Sequence, residues 1–359
     1  MHGRTGQGGR CTAHAHARAA AAPAQHCHLP PPHHGDVLSS RTTGRTTVDT
    51  PRITPLTDPG ADPGPGASAS PQAAEPPSSH RLAWLASDAA GVPLGSAFLR
   101  LFHRDGQRHL AELRLAVHPA ERRAGVGSRL LDAAVGAARA EGRGRVLAQA
   151  EAGSAGERFL AARGFRTVLT LTFARLPLST GAGPADLPGP AAAARRPHPG
   201  YRLRSWAGTV PDELAGTFAD SRRAMDDMPM DDTDYGTVEW DVARVREVAE
   251  AVAARGDLLY TVAAVDESDG TIAGFTELVV PGDGRGDGQH YGTGVLPEHR
   301  GRGLGRRMKA ESVRQVRERH PGLSGLLTDT ADSNPYMRGI NDALGYVPTH
   351  RAVECQLDL

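Results

Sequence analysis

The chain carries two stretches whose residue types and spacing could hold an anion, and the fuller of them is Tyr291–Arg307. It reads Tyr-Gly-Thr-Gly-Val-Leu-Pro-Glu-His-Arg-Gly-Arg-Gly-Leu-Gly-Arg-Arg. Tyr291 to Val295 predicts a strand and Leu296-Pro297-Glu298-His299 a tight turn; Met308, Val313 and Val316 form the apolar side of a helix that opens at the glycines. N–H groups in a first helical turn have no intrahelical partner, and the helix dipole adds positive charge there. Glycine lets the main chain wrap a phosphate closely, where a Cβ would obstruct it. Two common phosphate loops are excluded by spacing. Gly305 is followed by Arg306-Arg307 rather than Lys-Ser/Thr, and Arg306 stands where a dinucleotide fingerprint needs its third glycine. What remains is R-x-x-G-x-G, from Arg300 through Gly301, Arg302, Gly303 and Leu304 to Gly305.

The pattern occurs twice. Leu115–Gly127 repeats the strand, the proline turn and the R-x-x-G-x-G, with Arg122, Gly125, Val126 and Gly127 in the matching places. Each copy is followed by a Gly-aromatic pair: Gly164-Phe165 lies 42 residues after Arg122, and Gly345-Tyr346 lies 45 after Arg300. The chain's two asparagines, Asn334 and Asn341, stand seven apart on one helix face in the run that ends at Gly345-Tyr346. Together these features resemble the signatures of the GNAT superfamily of N-acetyltransferases: a pyrophosphate-binding turn for coenzyme A, then an Asn-opened helix ending in Gly-Phe/Tyr. The resemblance implies acetyl-CoA as co-substrate and no metal. It implies that Thr293, Gly294 and Val295 face the carbonyl and pantetheine arm, and that the N–H groups of Arg302 to Arg306 hold pyrophosphate, with Arg300 and Arg307 adding charge. Asn334 and Met337 would flank the pantetheine, and Asn341 would point at the sulfur. The first copy, at Arg122, Gly125, Val126 and Gly127, is a candidate second cofactor site.

Acyl transfer to an amine needs a neutral amine, a polarised thioester carbonyl and a proton for the departing thiolate. His290 and Tyr291 open the motif strand where the family often places a Glu that works through water, and Glu277 on the neighbouring strand is a third candidate base. Histidine suits the task by its pKa, although a plain strand-edge histidine would look the same. Asn341 occupies the place where many members carry a general-acid Tyr; an amide cannot deliver a proton, though it can orient one. Tyr346 and Tyr336 are the substitutes at hand. Cys355 has no His partner placed by the family's fold, so direct attack in a ternary complex is the implied mechanism. The other class of function open to this sequence is a non-catalytic acyl-CoA-binding or regulatory module.

The elements that must position these groups divide into two halves. Residues 1–79 are rich in Ala, Pro, Gly, Ser and Thr without hydrophobic period and are expected to be a disordered extension. Its histidines and Cys11 and Cys27 lack finger-like spacing, so no metal site is expected. Residues 80–178 form the first half, with a helix from Gly125 to about Ala140 presenting Val126, Leu130, Leu131 and Val135. Only 29 residues separate His80 from the motif strand at His109, which leaves no room for acceptor-side helices. Leu160 stands in its acid position and Gly153 in place of the Asn, so this half is expected to be a degenerate scaffold. A Pro/Ala-rich linker, 179–199, leads to the complete domain, 200–359. There Pro211–Arg223 and Asp241–Ala254 predict helices, and Leu258–Val265 and Thr271–Val280 predict a hairpin across Asp269-Gly270. The expected fold class is mixed α/β: tandem GNAT folds, each a splayed sheet with helices on both faces. The order, weaker half first, also resembles mycothiol synthase-type acetyltransferases, though their strand Glu has no counterpart here.

Composition bounds the rest. Lys+Arg 41 against Asp+Glu 41 gives no net charge, which favours neither nucleic acid nor an anionic membrane. No apolar run reaches the ~20 residues of a membrane helix, and three scattered cysteines point to a reduced, cytoplasmic protein. Lys309 is the single lysine of an Arg-rich chain. The segment Ala224–Tyr235, with three Met and five Asp, lies between the two helices that usually wall the acceptor pocket. Its adaptable apolar surface and carboxylates suit a small cationic amine. The acceptor's identity and the oligomeric state are not encoded in any motif.

Overall fold

The computed structural model describes residues 51–56, 79–178 and 198–359, apart from 227 and 237. The histidine-rich start, Cys11, Cys27 and the linker at 179–197 therefore lie outside the described residues. The chain forms two compact units that divide between Ala148 and Gln149, not at the linker.

In the first unit the strands run β1(Arg52–Pro55), β2(Ser79–Ser87), β3(Pro93–Phe102), β4(Leu110–Val117) and β5(Arg145–Glu151), which straddles the division. Neighbours pair in that order, antiparallel up to β4 and parallel between β4 and β5. The crossover helix α1(Val126–Ala140) buries Val126, Leu130, Leu131, Ala134, Val135 and Ala138 against the sheet, the stripe that its 3.6-residue period requires. Strand β1 corrects one expectation. Arg52–Pro55 pairs with Trp84–Ser87, so these four residues of the stretch read as a disordered extension form a strand. Ile and Thr at 53 and 54 suit a strand, but four residues are too short to show an alternation.

The second unit holds α2(Ala155–Ala162), β6(Arg166–Pro177), β7(Tyr201–Ala207), α3(Asp212–Ser221), α4(Val242–Ala254), β8(Leu258–Asp266), β9(Ile272–Val280), β10(Gly286–Val295), α5(Leu304–Arg319), β11(Leu323–Ala331), α6(Pro335–Ala343) and β12(Val347–Asp358), up to Gln356. Its sheet order is β12-β6-β11-β10-β9-β8-β7. Every residue of β9 is buried, as expected of a central strand covered on both faces. One face carries α3 and α4, where Leu214, Phe218 and Val245 pack on Ala263, Val265 and Phe275. The other carries α5 and α6, with Val313, Val316 and Leu344 on Leu278, Leu326 and Leu176. Strand β6 departs from the expected domain plan. It precedes the linker, yet it pairs with β11 through Leu171–Pro177 and with β12 through Arg166–Arg175. The second sheet therefore contains a strand supplied by the first motif's half. Among the described residues no helix is long and apolar enough to cross a membrane.

Candidate functional site

Strand β10 changes character at its middle. Over Gly286–Gln289 it pairs in parallel with β11, Gln289 meeting Leu327, and from Gln289 to Val295 it pairs antiparallel with β9. Beyond that point β11 continues along β6 as far as Ala331, while β10 keeps only β9. The two parallel strands thus part and leave a wedge between them. At the same place the β9 register slips between His290 and Gly292, with Tyr291 as the extra residue. A bulge re-aims side chains. His290 faces the α5 and α6 side and contacts Tyr346, whereas Tyr291 packs near Ala249 and Val252 of α4. Thr293 returns to the first side, its hydroxyl 2.7 Å from that of Thr276. Gly294 is closely packed: a Cβ there would sit 3.0 Å from Ala224 and Met225, which would have to give way.

The turn after β10 is stapled by Arg300, whose Nε donates to the Val295 carbonyl at 2.9 Å. Gly301 and Gly303 hold φ of 75° and 77°, the left-handed region that glycine enters without strain. Gly303 is the N-cap of α5, and no side chain caps that helix. Its first N–H groups, at Leu304, Gly305 and Arg306, therefore face outward for a ligand. Gly305 lies between the strand end and α6: a Cβ there would meet Ile340 at 3.5 Å, Val295 at 3.7 Å and Thr293 at 4.0 Å. Leu304 is core. Of the basic residues expected at the phosphates, Arg302 donates to the Tyr201 hydroxyl and Arg307 to the Tyr201 carbonyl. Arg306 is exposed on the first turn and makes no ion pair among the described residues.

Helix α6 closes the other side of the wedge. Asn334 caps it, its Oδ1 accepting from the Met337 N–H at 3.1 Å, which fixes the helix start. Asn341 is buried. Its Oδ1 accepts from Lys309 Nζ at 2.5 Å and its Nδ2 donates to Thr330 Oγ1 at 3.0 Å. Lys309, 1 % exposed, also donates to Thr328 Oγ1 at 3.1 Å and lies 4.8 Å from the centre of the Tyr346 ring. The Tyr346 hydroxyl is 2.7 Å from His290 Nε2. This polar cluster fills the point where β10 and β11 separate, since His290 and Thr328 are the first residues past the last paired ones. Burial pushes the Lys309 amine down to about 7. Burial also drives the His290 imidazole well below its ordinary value and the Tyr346 phenol well above.

The candidate acid and base groups are thereby placed apart. His290 and Asn341 belong to one cluster, joined through Tyr346 and Lys309. Tyr291 lies on the other face, its hydroxyl accepting from Arg255 at 2.8 Å, and burial raises its pKa. Glu277 is not an open carboxylate: both oxygens accept from Arg222, at 2.5 and 2.8 Å, and the pair is sealed by the rings of Phe218, Trp240 and Phe275 against that guanidinium. Tyr336 is 86 % exposed and Tyr346 fully enclosed. The acidic segment is also less open than expected, because Met225 and Met230 are buried and Met225 packs on Gly292 and Gly294. Sequence reasoning noted Lys309 as the single lysine but assigned it no role; the signal was its place beside Met308 on the apolar side of α5.

In the first unit Arg122 staples its own turn in the same way, with Nε 3.3 Å from the Val117 carbonyl. Gly125, at φ 81°, is the uncapped N-cap of α1, Val126 is buried beneath it and Gly127 follows in the first turn. The pairing of β4 with β5 stops at Leu113, so those strands part as well. Cys355 is buried, and burial raises its thiol. Among the described residues no group of His, Cys, Asp or Glu could hold a metal.

Comparison with known proteins fits this geometry. No individually curated protein matches the chain in sequence. A tandem GNAT protein from the clavulanic acid biosynthesis pathway, solved without AcCoA, superposes with a TM-score of 0.64 at 26% identity, over 79% of this chain and 84% of that one. A GCN5-related N-acetyltransferase from Sphaerobacter thermophilus gives 0.59 at 17% identity, over 77% and 80%. A GCN5-related glucosamine N-acetyltransferase region of a fungal multi-domain GH3 beta-N-acetylglucosaminidase gives 0.55 at 15% identity, over 77% of this chain and 33% of that one; these last two show the fold alone. The profile of the acetyltransferase (GNAT) family matches twice, at residues 56–165 and 224–346. With two matches that span both repeats of the glycine turn, the chain belongs to the acetyltransferase (GNAT) family, in tandem form.

Proposed function

We propose that the protein transfers an acetyl group from acetyl-CoA to the primary amine of a small molecule, by direct attack in a ternary complex in the second unit. One observation carries this reading: the wedge, the uncapped α5 N-terminus and α6 all belong to a single compact unit. Pyrophosphate would lie on the N–H groups of Leu304 to Arg306, with the Arg306 guanidinium beside it. The pantetheine arm would run into the wedge along Thr293 to Val295, where β10 has main-chain groups not used by β11. The thioester carbonyl would be polarised by those strand N–H groups, and the amine would arrive from the bulged side of β10. The residual acidic groups of Ala224–Tyr235 that remain exposed, Asp231 and Asp232, would attract its cation.

A second reading, an acyl-CoA-binding module without turnover, is favoured by the commitment of Asn341, His290 and Glu277 to protein partners. Release of free coenzyme A thiol across a panel of small amines separates the two. Amine-dependent thiol release supports the transferase; saturable acetyl-CoA binding without release on any amine supports the module.

A further inference from the structure

The two repeats form an internal control for the buried cluster. Aligned on their glycine turns, Lys309 of the second repeat corresponds to Leu131 of the first. Counted back from the Gly-aromatic pairs, Asn341 corresponds to Leu160 and Tyr346 to Phe165. Leu131, Leu160 and Phe165 are all buried. The same supersecondary plan is therefore built once with three apolar side chains, so the fold itself does not demand the polar trio. Burying an amine and an amide costs several kcal/mol more than burying leucines. Such a cost is retained for a reason other than packing.

The cluster's position suggests the reason. Lys309 Nζ bonds to Thr328, the first β11 residue past the last β10 contact, and to Asn341 on the helix that flanks the wedge. A lysine can only donate when charged, so Asn341 must turn Oδ1 toward it and Nδ2 toward Thr330. The groups facing Lys309 are Asn341 on α6, Thr328 and the more distant Asp329 on β11, His290 on β10 and the Tyr346 ring after α6. No carboxylate lies within ion-pair distance of Lys309 among the described residues. His290 stays neutral and Tyr346 stays protonated, so the cluster's one exchangeable charge near neutrality is the lysine's.

We propose that Lys309 is a positioning residue whose ammonium fixes Asn341 and Thr328 at the apex of the wedge and senses the sulfur of the bound cofactor. This rests on the second unit being the coenzyme A site. Departure of the thiolate places negative charge in the wedge: the neutral amine nitrogen bonds to the carbonyl carbon, the C–S bond breaks, sulfur keeps the electron pair, and the proton shed by the new amide nitrogen then passes to the thiolate to give the coenzyme A thiol. Lys309 lowers the energy of that charge by its field and is not itself consumed.

Because Lys309 is the only lysine, a protein labelled with ε-13C lysine shows one resonance, which can be followed through a pH titration in the full chain. Coenzyme A and desulfo-coenzyme A make the same phosphate and pantetheine contacts and differ at sulfur. The lysine midpoint is expected near 7 in the free protein, and higher with coenzyme A than with the desulfo analogue by at least about threefold in the protonation constant. Lys309→Met, if it folds, is expected to lower kcat with little change in KM and to remove the pH limb near neutrality. Equal midpoints with both ligands, or a free-protein midpoint in the ordinary lysine range, overturn the proposal. Absence of calorimetric binding by either ligand overturns the second-unit reading and the proposal together, whereas binding with equal midpoints sinks the proposal alone.

Discussion

The two glycine turns are built alike, yet they are not equivalent. Both are stapled by an Arg Nε to the carbonyl of the strand's last valine, and both open a helix at a left-handed glycine without a capping side chain. At the second position of the motif, Gly301 takes φ 75° where Arg123 takes φ 68°. A non-glycine residue in that region costs roughly 1–2 kcal/mol. Arg302 and Arg306 of the second turn correspond to Ala124 and Ser128 of the first, which removes positive charge. The flanking helix differs too: α6 shares a compact unit with α5, while α2 falls beyond the division that ends the first unit. The first turn thus keeps the backbone plan of the second while the side chains around it differ.

The largest effect that would sharpen this contrast concerns buried charge. Arg222→Ala leaves Glu277 uncompensated in a site where both side chains are nearly inaccessible, and is expected to cost about 3–5 kcal/mol in urea denaturation. A charged pair of the first unit, Arg100 with Glu112 at 3.7 Å across β3 and β4, is partly open, so Arg100→Ala should cost less than about 1 kcal/mol. Similar losses from the two changes would show that the halves are held together by the same means.

Next comes the direct exchange between the turns. Gly303→Val should reduce turnover at least about a hundredfold by moving the phosphate cradle, while Gly125→Val should leave it within about threefold, since a Cβ at Gly125 meets nothing within 4 Å. Both substitutions strain a left-handed position, so equal drops in melting temperature serve as the control. Loss of turnover in Gly125→Val alone would reverse the roles of the two units.

A third comparison sets Lys309 against Leu131. The lysine's folded pKa, about 7, lies below its unfolded value of 10.5. Between those values the unfolded chain binds more protons than the folded one, so stability rises with pH from about 7 upward, by up to about 1.4 kcal/mol per pH unit. Below about 7 both states are charged and the burial penalty is fully present. Lys309→Met should flatten this rise in urea midpoints measured from pH 6 to 9, and Leu131→Met should leave it intact. A wild-type midpoint that does not rise over that range would contradict the buried amine.

The smallest effect concerns the edge of the first unit. A chain shortened to begin at Thr50 keeps β1 and should melt unchanged. Beginning at Ser79 removes it, which should cost about 0.5–1 kcal/mol, or roughly 2–8 °C. An equal melting temperature in both would make β1 dispensable.

Much of this architecture could be read from the residues because local signals agreed with the fold. The α1 and α4 stripes, the Asp269-Gly270 hairpin and both glycine turns lie close to where the periodicity and turn chemistry put them. The path of β6 was not legible, since strand alternation says which face is buried and not which neighbour covers the edge. The acid and base roles were hidden for a related reason. Whether Glu277 is a free base or half of a sealed ion pair depends on Arg222, 55 positions away, and no spacing rule connects them. Lys309 and Asn341, 32 apart, meet only once α5 and α6 have packed.

Strand β6 has one more consequence, for the order in which the protein can be made. It leaves the ribosome well before β11 and β12, the two strands that flank it in the finished second sheet. At roughly 5–20 residues per second, about 10–30 s pass before β11 emerges. Throughout that interval a twelve-residue strand, rich in Leu and Thr, waits with both hydrogen-bonding edges unclaimed by their final partners. The second sheet closes only once β12 has been released, so a chain interrupted before β12 leaves that edge of β6 open. The tandem arrangement thus ties the fate of the earlier half to the completion of the later one.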